Sequence, residues 1–133
     1  MAIHDLHIGD FCADTAQIFL LLYRRFPTKS ALYIDDICGP DTPDEFGLHS
    51  PRYLACFNTA VWLAEEGFYR FSQTVLQEAL EDVVLTQKGF LFLSLLNSAP
   101  DTLNSRIKEL EALMQEKNSA RLNNYVLDQL NLF

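Results

Sequence analysis

The chain has 133 residues, 49% apolar and 21% charged, with five glycines and five prolines: enough to bury one core, too short for two full domains. Its formal net charge of -8 works against duplex binding, because affinity for nucleic acid rests largely on Lys and Arg displacing counterions from phosphates. The longest apolar runs, residues 18–23 and 90–96, fall well short of the ~20 residues that cross a bilayer, so no membrane partner is expected. No basic and apolar leader opens the chain, and the expected home is the cytosol. Three cysteines, Cys12, Cys38 and Cys56, fit neither a disulfide framework nor paired zinc knuckles, so free thiols are expected.

In residues 10–26 the apolar positions Phe11, Ile18, Phe19, Leu22 and Phe26 form one stripe of a helix, with Asp10 as its cap and Pro27 as its stop. Residues 31–38 carry Leu32, Ile34 and Ile37 at weak helical spacing. A short second helix is expected there, with a strand at its beginning as the alternative. Residues 39–49 hold two prolines, two glycines and three carboxylates, the composition of a surface loop. Ser50-Pro51 then supplies an N-cap and a first-turn proline for a helix of about four turns, to Glu66. Its expected buried face is Leu54, Phe57, Val61 and Ala64, with Tyr53, Ala60 and Leu63 beside them. Gly67 stops it.

Residues 68–74 and 81–85 are aromatic and β-branched enough to form two short paired strands across residues 75–80, a wing. Thr86 sits where the cap of the next helix belongs, and residues 87–96 are apolar nearly all round until the break at residues 97–100. The tail begins with Asp101 or Thr102 as cap and carries Leu103, Ile107, Leu110 and Met114. Asn118-Ser119 interrupts it, and Leu122, Val126 and Leu130 resume the stripe. One helix or two in series must bury that seam, either on a second copy or on its own domain.

The order helix, short helix, helix closing on Trp62-Leu63-Ala64-Glu65-Glu66-Gly67-Phe68-Tyr69-Arg70, then strands and Leu85-Thr86-Gln87-Lys88-Gly89, resembles the winged helix-turn-helix domains of bacterial MarR and PadR regulators. The resemblance covers residues 10–97 in layout. It implies a mainly α fold with a small β-wing and a C-terminal amphipathic helix or helices, residues 101–133, that dimerise or pack on their own domain. It also implies that the helix of residues 50–66 enters the major groove with its N-terminal part, offering Ser50, Arg52, Tyr53, Asn58 and Thr59. Arg24, Arg25, Lys29 and Arg70 complete the candidate DNA-contacting set, and Leu103, Ile107, Leu110, Met114, Leu122, Val126 and Leu130 the candidate dimer seam.

Two features oppose DNA. The connection between the second and third helices is about ten residues, where DNA-reading helix-turn-helix units use three or four. The surfaces expected to meet phosphate carry Asp35, Asp36, Asp41, Asp44, Glu45, Glu78, Glu81 and Asp82 against Arg70 alone. Other chemistry finds little footing. His4, His7 and Cys12 with Asp5 and Asp10 only superficially suggest a metal site, and Asp35-Asp36 with Asp44-Glu45 read as solvated acids. His49-Ser50 has no third triad member, the glycines form no phosphate loop, and Tyr53, Phe57 and Trp62 read as core rather than ligand pocket. The expectation is therefore a non-enzymatic protein without metal or cofactor. Two functions stand open: a homodimeric DNA-binding transcriptional regulator, or an acidic winged-helix module that binds protein instead.

Overall fold

The computed structural model describes residues 6–95 and 105–132, and the fold is mainly helical with a small four-stranded antiparallel sheet. Helix α1, Leu6–Arg25, is the spine. Its buried positions Cys12, Asp14, Thr15, Ala16, Ile18, Phe19, Leu20 and Leu22 lie on more than one side, because other elements cover it from several directions. Asp10 is a correction: it sits inside this helix, paired with Arg52, and does not cap it. The helix ends before Pro27, as a ring without an N–H requires.

Residues 31–38 divide into strand β1, Ser30–Tyr33, and a single turn of helix, α2, Asp35–Cys38. The strand forms because Leu32 finds apolar cover in the core and the segment pairs with a later strand, which outweighs the weak helical spacing. Helix α3, Pro51–Glu65, starts as expected, with the Ser50 hydroxyl accepting from the Tyr53 amide at 3.3 Å. Its buried stripe, however, is Tyr53, Cys56, Thr59, Ala60 and Leu63, while Leu54, Phe57, Val61 and Ala64 are only half-buried. Two adjacent apolar stripes share the same spacing, and the polar anchors of Tyr53 and of Tyr69, which donates to the Ala60 carbonyl, turn the first of them inward.

Gly67, at φ 91°, takes the left-handed turn that leads into the strands. Strands β2, Tyr69–Arg70, and β3, Gln73–Val75, both pair with β4, Ala79–Leu85, whose other edge carries β1. The wing turn is tighter than the sequence suggests, spanning only Leu76, Gln77 and Glu78. Asp82, at φ 55°, lies at the register shift that lets Ser30 face Val83 and Leu32 face Leu80.

Helix α4, Gln87–Ser94, is capped by Thr86, whose hydroxyl accepts from the Gly89 amide at 3.1 Å and donates to the Gly67 carbonyl. The tail is two helices, α5, Arg106–Glu116, and α6, Ser119–Leu132, separated at Lys117, which adopts the left-handed conformation that ends helices. Ile107, Leu110, Leu113, Leu122 and Val126 are buried in the same core as α1, and Met114 and Leu130 pack against it. Each such side chain contributes about 1.5–3 kcal/mol on burial, and this stripe packs on the chain's own core. The expected breaks and caps at residues 97–102, and Leu103, lie outside the described residues.

Gly89 marks the tightest junction. A Cβ there would overlap the Phe68 carbonyl oxygen and stand 2.8 Å from its carbon, so only glycine lets α4 approach the strand after Gly67. Gly89→Ala is expected to destabilise the protein by about 3 kcal/mol or more, read as the shift of a denaturant unfolding curve. A loss below ~1 kcal/mol would mean the junction is loose.

Candidate functional site

The candidate site is built on α3 and the segments that flank it. Along its outward side α3 exposes Pro51, Ala55, Asn58, Trp62 and Glu65. Trp62 is a correction to the expectation of a core residue. It is 43% exposed and meets Phe11 in an edge-to-face contact, with ring centroids 5.5 Å apart, because it lies about a third of a turn round the helix from Cys56 and Leu63.

Arg52 does not reach outward. Its guanidinium forms a two-bonded fork with Asp14 of α1, each bond 2.7 Å, and a further ion pair with Asp10 at 3.4 Å. Bonding to Asp14 holds the guanidinium firmly in its charged form. Tyr53 is buried and donates its hydroxyl to Asp35 at 2.7 Å, and burial foremost, with that bond behind it, pushes its pKa up. Thr59 is buried too, donating to the Ala55 carbonyl. Three of the five α3 residues expected to meet DNA are thus engaged inside the protein. Ser50 is spent as a cap, and Asn58 alone of the five is exposed.

Two of the other basic residues are engaged away from the start of α3. Arg24 pairs with Glu111 of α5 at 3.4 Å, and Arg25 donates to the Ala31 carbonyl. Ten residues separate Arg24 from Asp14, the anchor of Arg52, a distance of about 15 Å along α1. Lys29 and Arg70 are exposed. The sequence alone gave no sign of Asp14 as a partner, since the two groups lie 38 positions apart.

Residues 39–49 are organised by hydrogen bonds rather than left loose. Asp44 accepts from the amides of Phe46 and Leu48, closing a compact turn. Asp41 accepts from the Ser50 amide at 3.0 Å and from His49 Nδ1 at 2.9 Å, which ties the loop to the start of α3. The opposite ring nitrogen of His49, Nε2, lies 3.2 Å from Glu78 in the wing turn, and the ring stacks on Tyr53 with centroids 4.1 Å apart. Asp41, then Glu78, raise the His49 pKa. The Ser50 amide first, and His49 second, hold the Asp41 carboxyl below its ordinary range. His49 is therefore a latch joining loop, helix and wing, a role that its neighbour Ser50 did not suggest. With both nitrogens facing carboxylates, it has none to offer a serine nucleophile.

The cysteines are free, as expected. Burial pushes the Cys12 thiol up to about 11, and raises Cys38 and Cys56 as well. Among the described residues no cluster of three or more His, Cys, Asp or Glu is placed to hold a metal, and no helix is long and apolar enough to cross a membrane. His4 and Asp5 lie outside the described residues. Between α1, α2 and the α5–α6 turn there is an open groove of about 410 Å³, lined by Asp14, Arg52, Cys38, Met114 and Lys117 among others.

No protein-family model, no curated protein and no solved structure matches the chain.

Two outcomes follow from this geometry. Arg52→Ala leaves Asp14, whose side chain is only 3% exposed, charged and unpaired, and is expected to cost about 2–3 kcal/mol in chemical denaturation, reduced from the full buried-pair range because the guanidinium is partly in water. The double substitution Asp14→Leu with Arg52→Leu should recover most of that loss, and no recovery would deny the pair its role. For the latch, a raised His49 pKa means its contribution is full below about pH 6.5 and lost as pH climbs through the raised value. The depressed Asp41 keeps its contribution above its ordinary 3.8 and loses it as pH falls through the lowered value. Amides of residues 41–49 should therefore exchange faster with solvent at pH 8.5 than at pH 6, beyond the intrinsic base dependence, and His49→Gln should abolish the excess.

Proposed function

We propose that the chain is a winged-helix domain that docks another protein, and not a DNA duplex, through α3 and the wing. The fold part of the reading is supported by chain order: helix, strand, short helix, helix, then a hairpin whose last strand lies between β1 and β2. The likeness to MarR and PadR regulators implies helix, short helix, helix and then strands; that order is kept here, with β1 added ahead of α2.

One observation carries the functional part. The exposed side of α3, the helix matching the one that enters the groove in DNA-binding winged-helix proteins, presents proline, alanine, asparagine, tryptophan and glutamate, with no cation among them. Its single arginine is spent on Asp14 and Asp10. A helix must bring positive charge to two rows of phosphates before Asn58 can read a base edge. A face without cations, whose one charge is Glu65 at the end of the helix and whose largest side chain is a half-open indole, fits a protein interface better, since tryptophan is enriched there. Enzyme chemistry finds no support, since His49 and Ser50, the nearest approach to a catalytic pair, are both committed to holding the loop. The tail stripe supports packing on its own domain rather than dimerisation, because Ile107, Leu110, Leu122 and Val126 are already inside the core.

The test is titration of mixed-sequence genomic duplexes across a salt series, read by fluorescence anisotropy. No saturable complex is expected even at low salt. A complex whose affinity falls steeply with salt, and weakens further on Asn58→Ala, would replace this reading with the regulator reading.

A further inference from the structure

We propose that the wing edge formed by Tyr33, Leu48, Val75 and Leu76 is the docking site for a lysine- or arginine-rich segment with apolar side chains, carried by another protein. The proposal rests on the protein-docking reading above and names its partner chemistry.

Strand register assembles the edge. Tyr33 and Val75 both face Ala79 across neighbouring strands, so the three share one row and one side of the sheet. The next row, Leu32 and Leu80, points the opposite way into the core, where both are fully covered. Tyr33 is 54% exposed and Leu76, at the wing tip, 79%. The His49–Glu78 contact ties the loop that carries the exposed Leu48 to the wing turn that carries Leu76, which brings a fourth exposed apolar side chain into the neighbourhood of Tyr33, Val75 and Leu76.

The tip is built against local preference. Leu76 has φ 57°, a conformation suited to glycine or asparagine and costing leucine about 1 kcal/mol. A bare, apolar side chain at that position gains nothing in the isolated protein. Backbone strain retained at an exposed apolar tip is the pattern of a binding surface.

Charge identifies the occupant. From residue 30 to 51 and from residue 71 to 87 the chain has no Lys or Arg, while Asp35 and Asp36, just after Tyr33, and Glu78, just after Leu76, are exposed. A second copy meeting this edge with its own would set these carboxylates against their equivalents. A segment with alternating cationic and apolar side chains satisfies both the leucines and the acids.

The test uses the full chain and two synthetic peptides, one alternating leucine with lysine and one alternating leucine with glutamate, followed by amide NMR shifts and anisotropy. The lysine peptide should bind with shifts centred on residues 33, 48, 75 and 76, at least about tenfold tighter than the glutamate peptide. Leu76→Asn, which suits the turn, should weaken it by about tenfold while the unfolding midpoint stays level or rises. Tyr33→Ser serves as an independent second variant, expected to act in the same direction. Absence of lysine-peptide binding, shifts centred on another face, unchanged affinity in Leu76→Asn, or self-association through this edge in sedimentation would each overturn the inference. A duplex complex in the salt series would instead sink the underlying protein-docking reading, whereas peptide contacts elsewhere without duplex binding would sink this inference alone.

Discussion

The fork between Asp14 and Arg52 is the interaction on which the arrangement of the helices depends. A carboxylate that is almost wholly buried on the central helix has few ways to be tolerated, and a guanidinium meeting it with two parallel 2.7 Å bonds is the best of them. Such a pair adds little net energy over a hydrophobic contact, but it admits a narrow range of geometries. It fixes where α3 crosses α1, and the next residue, Tyr53, then reaches Asp35 at the start of α2. Three helices are thus placed by two consecutive side chains. The same fork removes from the α3 surface the one cation that a groove-reading helix would have needed.

How much of this was legible in the sequence differs by kind of feature. Local backbone chemistry was readable: the Ser50 cap with Pro51 behind it, the Gly67 stop and the Thr86 cap all follow from positions within a turn of one another. Long-range pairing was not. Asp14 and Arg52, or Arg106 with Gln129 and the Phe92 carbonyl, are joined only by the completed fold, and no spacing rule announces them. The rotation of α3 was ambiguous for a related reason. Its two apolar stripes are equivalent by periodicity, and hydrogen bonds from Tyr53 and Tyr69 decide between them. The tail stripe raised the same problem on a larger scale, since periodicity says that a face must be covered and says nothing about what covers it.

The candidate site was less legible than the fold because its residues were judged by type. Arginine, tyrosine and threonine on α3 have the chemistry to contact a duplex, yet the carboxylates of Asp14 and Asp10 engage Arg52, and burial commits Tyr53 and Thr59 to the protein's own architecture. Trp62 was judged by size as a core residue and stands half open. Sequence sets His49 beside Ser50, while its partners in the fold are Asp41 and Glu78, the second 29 positions away. In each case the deciding quantity is which direction the side chain faces, and that is set by elements far away in the chain.

The distribution of charge then separates the speed of an encounter from its duration. Acids on the loop, on α2 and on the wing create a negative field that extends about 8–10 Å into physiological solution, which on the proposed reading would draw a cationic partner in from beyond contact distance. Most of these carboxylates stay in water, where each pair with a lysine is worth little once formed. The apolar edge works at the opposite range, silent until contact and then slow to release because its gain is water displaced. Attraction at this surface should therefore govern the association rate and its dependence on salt, while Tyr33, Leu48, Val75 and Leu76 govern how long the complex lasts.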